Sequence, residues 1–362
     1  MAESQVRSAQ SSPAPSIESA PEPPLPLLVT GIAGVAGYNA FHYFRARYPG
    51  QVIGTRRADN RRLAGEAIEA CDIHDPERLE SLFRCYQFAS VLNAEGTCAL
   101  RSCELDPPLA WRINVLGVAN LLRLVSASTR LVHLSIDLVF SGEGNGGYRE
   151  SDGTDPVTVY GKTMRQSEQL VLDAHPAATV LRISLPMGIS FNGHAGAIDW
   201  IQSRFRADKP ATLYYDEIRT PTYTDCLNRT LERVLAAPAD ANGPLAGLFH
   251  AGGPRKLSLY QIAQIVNRVG GYDPDLLIGC PRQAAGPVPP RAGNVTLDSS
   301  RLANLLNQSP FDPWPLDEQQ VPTDRQWHRA RAGNESPDLL AATLYRNPGY
   351  PSESLERPSL PH

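Results

Sequence analysis

Between residues 27 and 305 short apolar runs alternate with longer stretches in which apolar positions recur every three or four residues. Short apolar runs bounded by turn formers read as strands covered on both faces, and the longer periodic stretches read as the helices that cover them. The pattern predicts strands at 27–30, 51–54, 90–93, 131–135, 179–182 and 247–251, with a further one closing at Cys71-Asp72-Ile73. Helices are predicted at 39–47, 76–85, 110–127 and 161–174. Strand-helix alternation of this kind gives an α/β fold with a doubly wound parallel sheet.

The ends of the chain break this rhythm. Residues 1–26 are rich in Ser, Ala and Pro, finishing Pro21-Glu-Pro-Pro-Leu-Pro26, a composition that buries too little apolar surface to offset chain entropy and predicts a disordered leader. Residues 306–362 turn Pro-rich again, through Pro310, Pro313, Pro315 and Pro322, with one helical pattern near 338–345 and no assignable role. A chain of 362 residues with 42% hydrophobic content holds a sizeable core between those ends.

A formal charge of −4 provides no basic footprint for nucleic acid. The N-terminus lacks the order of a signal peptide and no apolar run approaches the roughly 20 residues of a membrane span, so cytoplasm is the expected compartment. Cys71, Cys85, Cys98, Cys103, Cys226 and Cys280 are dispersed without a C-x-x-C or paired histidines, which predicts reduced thiols and no metal. His133 and His250 fall within strands and are expected to be satisfied core histidines, and Trp111 and Trp200 packing anchors.

The chemistry concentrates after the first strand, which runs into Gly31-Ile-Ala-Gly34-Val-Ala-Gly37. Glycines at a strand-to-helix turn let a pyrophosphate meet helix N-terminal amides: Gly31 for the turn, Gly34 for close approach, Gly37 for helix-strand packing, with Ala33, Val35 and Ala36 between them. This is the dinucleotide loop of a Rossmann-type domain. The second strand ends Gly54-Thr55-Arg56-Arg57, where an NAD site would carry an acid for the ribose hydroxyls. Arginine suits a 2′-phosphate, which favours NADP(H) over NAD(H); solvated surface charge is the alternative reading of Arg56 and Arg57. Asp72 and Ile73 are placed at the adenine, and Asn93, Ala94, Gly96 and Thr97 beside the pyrophosphate and nicotinamide ribose. Glu95 would oppose a phosphate there and is expected to point away or make a local hydrogen bond.

With the glycine loop, Asn93-Ala94, Asn114, Ser135-Ile-Asp-Leu-Val-Phe140 and Tyr160-Gly-Lys-Thr163, the chain resembles the dTDP-4-dehydrorhamnose reductase family over about residues 27–305. Tyr148-Arg-Glu150, Leu181-Arg-Ile-Ser184, Arg219-Thr-Pro-Thr-Tyr223 and Arg291-Ala-Gly-Asn294 agree with it. The chain is also similar to the regulatory β subunit of methionine adenosyltransferase, which keeps the fold as a binding partner.

The resemblance implies a Rossmann domain at 27–185, and a smaller C-terminal lobe at 186–305 that closes over a nucleotide-sugar, with segments near 221–251 returning to the first domain. It implies a homodimer or a protein partner, Ser135 and Tyr160 beside the cofactor, and Asp137, Arg219, Tyr223 and Arg291 as substrate contacts. Tyr160 takes the proton donor's place and Asp137 an auxiliary one. The family's Lys, one helical turn beyond the Tyr, is replaced by Met164, and its Ser or Thr by Ile136. Lys162 and Arg165 fall on the wrong faces of the helix to compensate. The family activity, NADP(H)-dependent reduction of a nucleotide-linked 4-keto-6-deoxy sugar, is therefore expected to be weak, with a catalytically inactive nucleotide-binding subunit as the alternative.

Overall fold

A computed structural model describes residues 22–192, 196–243, 245–307 and 321–344. Residues 1–21 of the leader and Pro310, Pro313 and Pro315 of the tail lie outside the described residues. Strands β1 (Leu27–Val29), β2 (Val52–Arg56), β3 (Ile68–Ala70), β4 (Ser90–Asn93), β5 (Arg130–Ile136) and β6 (Thr179–Ile183) form one parallel sheet with the later strand Gly247–Ala251. The order runs Gly247–Ala251, β6, β5, β4, β1, β2, β3. The chain winds outward in one direction from β1 to β3 and in the other from β4, so the strand order reverses between β1 and β4 and opens a crevice at their carboxyl ends.

Strand alternation divides the core between the two faces. Leu27 and Val29 pack on one side with Phe41, Phe44, Leu92, Val132 and Leu181, while Leu28 packs on the other with Val91, Leu131, Leu79, Leu121 and Val171. Register is correspondingly fixed, with Val29 opposite Gly54 on one side and Leu92 on the other.

Two predicted helices differ in detail. The first, α1, spans Val35–Arg47 and begins four residues earlier than periodicity indicates, because Gly34 is already its N-cap. The predicted helix at 110–127 is broken into Pro107–Trp111, a π turn at Arg112–Leu116 and Gly117–Leu122. Gly117 within it has no room for a side chain, since a β-carbon there would lie 2.4 Å from Ile73 Cγ2. Trp111 and Trp200 are half-exposed rather than buried anchors.

Beyond β6, strands Ala211–Tyr214 and Leu277–Cys280 pair in parallel beside helices Ala197–Arg206 and Leu259–Val269. Ser258 and Gln261 form a reciprocal cap on the latter. Part of the tail docks here. Tyr260 Oη donates to the Arg325 carbonyl, Arg268 lies 4.2 Å over the Trp327 ring, and Leu340 and Leu344 of helix Pro337–Leu344 are buried. Among the described residues no helix is long and apolar enough to cross a membrane and no cluster of three metal-ligating side chains occurs. Each of the six cysteines is free.

Candidate functional site

The glycine loop joins β1 to α1 at the crevice. Gly31 has φ +67°, and a β-carbon there would lie 2.4 Å from the Ala94 carbonyl oxygen. A β-carbon on Gly37 would lie 2.4 Å from the Gly31 carbonyl oxygen, so this glycine sets how closely the helix packs on the turn. Gly34 differs: its nearest neighbour would be the Gly31 oxygen at 3.5 Å. The space beside Gly34 is thus left to whatever approaches the loop. The helix that starts here has no side-chain cap and no acid in its first turn, leaving its amides and partial positive charge for an anion. Val35 and Ala36 are buried and Ala33 is partly buried, so these side chains serve packing while the backbone faces the crevice.

At the end of β2, Arg56 Nη1 donates to the Arg57 and Ala58 carbonyls, while its Nε is buried without a partner among the described residues. Arg57 pairs with Asp59 at 2.5 Å on the surface. Asp72 Oδ1 accepts from the Ala58 amide at 3.3 Å and so closes the β2 and β3 ends against each other. Ile73 is buried under Gly117. The residues present fit a dinucleotide: an open glycine, uncapped amides and a buried arginine nitrogen with unused donor capacity.

Thr97 is held by Asn114, whose Oδ1 accepts from the Thr97 amide at 2.8 Å and whose Nδ2 donates to Thr163 Oγ1 at 2.9 Å. The π turn at Arg112–Leu116 carries this asparagine to the loop. Gly96 sits between Asn114 and Met164, since a β-carbon on it would lie 3.5 Å from Asn114 Oδ1 and 3.8 Å from Met164 Sδ.

Tyr160 lies in the first turn of helix Val159–Ala174, which Thr158 caps by accepting from the Gly161 amide. Met164 follows one turn later on the same buried face, while Lys162 and Arg165 are exposed. Tyr160 and Met164 belong to one apolar cluster with Leu138, Phe140 and Val295, against which Ile136 packs. Burial holds the Tyr160 phenol well above its ordinary pKa, reinforced by Cys98, Cys103 and Asp137 and opposed by Arg219. Among the described residues, no ammonium group acts on it to lower that value.

Asp137 is buried and fully engaged. Its Oδ1 accepts from Arg219 Nη1 at 2.6 Å and its Oδ2 from Ser184 Oγ at 2.5 Å. Arg219 also donates to Glu217 Oε1 at 2.8 Å, and Glu217 lies 3.6 Å from Arg291. The carboxylates of Asp137 and Glu217 raise the Arg219 pKa against the effect of its burial.

The arrangement shows where each predicted residue stands. Asp137 and Arg219, predicted as separate substrate contacts, bind each other, because opposite charges taken out of water must pair. Tyr223 is 6% exposed and packs in the same core as Leu27 and Val29. Arg291 stacks 4.7 Å over the Tyr214 ring and is the most accessible of the predicted substrate cations. Ser135, predicted at the cofactor, points the other way and donates to Glu168, which pairs with Arg182 in the interior. Asn93 is also internal: its Oδ1 accepts from Thr30 Oγ1 at 2.6 Å and its Nδ2 contacts His133 Nδ1 at 2.8 Å. Glu217 escaped the sequence reading: Arg219 follows two residues later, but nothing local marks the acid as buried until the fold brings Arg291 to it.

The RmlD substrate binding domain family model matches residues 25–320. A dTDP-4-dehydrorhamnose reductase of Mycolicibacterium smegmatis is 26% identical over 275 residues, 73% of this chain and 80% of that protein. Methionine adenosyltransferase 2 subunit beta of Danio rerio is 25% identical over 314 residues, 84% of this chain and 93% of that protein. Among solved structures, the dTDP-4-dehydrorhamnose reductase of Bacillus anthracis in complex with NADP superposes with a TM-score of 0.64 at 18% identity, covering 80% of this chain and 95% of that one. With the glycine loop, the reversed strand order and a family match across most of its length, this chain belongs to the RmlD substrate binding domain family, that of the dTDP-4-dehydrorhamnose reductases.

Proposed function

We propose that this chain binds NADP(H) in the crevice between β1 and β4 and reduces a nucleotide-linked 4-keto-6-deoxy sugar slowly, with Tyr160 as the proton donor. The observation that carries the reading is the division of labour in the glycine loop, where Gly31 and Gly37 are closed by packing and Gly34 alone is open. The cofactor would supply a hydride to the ketone carbon. Gly31, Gly34, Gly37 and the first amides of α1 would hold its pyrophosphate, and Arg56 its 2′-phosphate. The segment 186–305 would cover the sugar nucleotide, with Arg291 as its phosphate contact.

Tyr160 would then protonate the developing alkoxide from a buried position beside Ile136 and Met164. The phenol receives no electrostatic help from a neighbouring lysine, and Ile136 offers no hydrogen bond to the substrate oxygen. Loss of one positioned acid-base element costs roughly 10²–10⁴ in rate, and two losses in one catalytic unit need not multiply.

A second reading has its own support. The apolar surroundings of Met164 and Ile136, together with the long match to an adenosyltransferase β subunit, favour a nucleotide-binding regulatory subunit acting through a protein partner. Calorimetry with NADPH and NADH, followed by NADPH oxidation with the dTDP-linked ketosugar, separates the readings. Binding with slow oxidation supports the reductase; binding without oxidation at high protein concentration supports the regulatory subunit. No binding of either dinucleotide by folded protein overturns both.

A further inference from the structure

Cys98 and Cys103 bracket the first turn of the short helix Leu100–Leu105, at the end of the loop that leaves β4. Ala99 is the N-cap of that helix and gives it no side-chain hydrogen bond. Counted from Ala99, the two cysteines hold the N′ and N4 positions, whose side chains meet across the first turn of a helix. Hydrogen bonding agrees with that placement. The Cys103 amide donates to the Ala99 carbonyl at 2.9 Å, and Cys103 Sγ donates to the Thr97 carbonyl oxygen at 3.5 Å. In a planar trans peptide the next Cα stands about 2.8 Å from the carbonyl oxygen, so Cys103 Sγ lies no more than about 6.5 Å from the Cys98 Cα. A disulfide spans about 4.4–6.8 Å between its Cα atoms. A side-chain rotation with a small shift of the uncapped helix start is enough to join the sulfurs. The two residues differ in access, since Cys98 is exposed and Cys103 is buried.

We propose that Cys98 and Cys103 form a peroxide-sensitive dithiol, and that its oxidation to an intramolecular disulfide weakens dinucleotide binding in the adjoining crevice. The Cys98 sulfur attacks a peroxide oxygen and becomes a sulfenic acid, releasing water from hydrogen peroxide. The Cys103 sulfur then displaces that hydroxyl as a second water and forms the S–S bond, so the thiols give two electrons and two protons to the peroxide. Every contact that Cys103 alters bears on the crevice. Its Sγ leaves the carbonyl of Thr97, a residue that Asn114 holds by both amide and carbonyl. Its side chain leaves the apolar cluster it shares with Tyr160 and Met164. The next residue, Glu104, accepts at 2.7 Å from the Val159 amide, which opens the helix carrying Tyr160, so turning the short helix pulls on that anchor. The effect on binding rests on the reading of the crevice as a dinucleotide site; the bridge itself does not.

The test treats the full chain with hydrogen peroxide at about pH 8.5, because burial pushes both thiols above their ordinary range. The protein is then freed of peroxide and digested with trypsin without reduction. Cleavage after Arg101 separates the two cysteines, so the bridge appears as one linked pair of peptides that dithiothreitol splits. Cys98→Ser should yield no such pair, and Cys85, on the same tryptic peptide as Cys98, should stay free. Calorimetric titration with NADPH should show at least about tenfold weaker binding by the oxidised protein, restored by dithiothreitol. Peroxide-treated Cys98→Ser should bind as the reduced wild type does. Both thiols left free, or Cys98 carried to a sulfinic or sulfonic acid with Cys103 unpaired, overturns the dithiol. A bridge that leaves NADPH affinity unchanged overturns its link to the crevice. Failure of the reduced protein to bind NADPH overturns the dinucleotide reading, while the linked peptides still establish the dithiol.

Discussion

Arg219 donates from Nη1 to Asp137 Oδ1 across 2.6 Å, joining residues 82 positions apart, with side chains 6% and 3% exposed. The pair ties the carboxyl end of β5 to the short strand Ile218–Arg219. Breaking such a pair by removing one partner leaves an uncompensated charge out of water, at a cost of about 3–5 kcal/mol. Arg219→Met should show that loss in urea unfolding, and Asp137→Asn on top of it should recover part of it. A single variant within about 1 kcal/mol of wild type would place the pair in water instead.

Gly34 and Gly37 make opposite predictions from one motif. A methyl at Gly37 meets backbone, which cannot rotate away, so Gly37→Ala should destabilise the fold by roughly 1–3 kcal/mol. A methyl at Gly34 meets only the Gly31 oxygen at 3.5 Å, an ordinary van der Waals contact, so Gly34→Ala should unfold at the wild-type urea concentration yet lose at least about tenfold in NADPH affinity, because the phosphate can no longer approach the backbone. Equal affinity in Gly34→Ala would remove the pyrophosphate from this loop.

What the sequence revealed and what it hid follow from the range of the interactions. The strands and the glycine turn are written in neighbouring residues: alternation sends Leu27 and Leu28 to opposite faces, and the spacing of Gly31, Gly34 and Gly37 is a local requirement of the turn. The orientation of polar side chains is not local. Ser135 could have faced the crevice or the interior, and the decision lies with Glu168 and Arg182 on later elements. The π turn that delivers Asn114 to Thr97 leaves no periodicity signal, because one inserted residue only shifts the phase of a helical pattern.

His133 lies fully buried in β5 between Asn93 and Ser167, and burial lowers its pKa to about 4. An unfolded histidine titrates near 6.5. Between those values the unfolded chain binds the proton and the folded chain does not, so the contribution is fully present above about pH 6.5 and is lost as pH falls toward 4. The loss is on the order of 3 kcal/mol for this group. The urea midpoint should therefore drop between pH 7 and pH 4.5, and His133→Gln should drop less steeply. Parallel profiles for the two proteins would show that His133 is protonated in the fold.

Met164 and Ile136 are the pair whose replacement most directly tests whether the reductive machinery is merely incomplete. Met164 Sδ stands beside Gly96, one helical turn from Tyr160, so a lysine grown from this position would bring its ammonium toward the phenol and the loop that carries Thr97. A cation there lowers the phenol's pKa by favouring the phenolate, while a Thr at 136 would give the substrate oxygen a donor that isoleucine cannot. The double change Met164→Lys with Ile136→Thr is expected to raise NADPH oxidation with the dTDP-linked ketosugar at least about tenfold. It should also cost roughly 1–3 kcal/mol of stability, because an ammonium and a hydroxyl enter an apolar cluster. The gain should come in kcat, since the restored groups act on the reacting oxygen. A folded double variant that binds NADPH normally and still fails to accelerate would locate the defect in the sugar pocket, with Arg291 and the 186–305 segment as the next place to look.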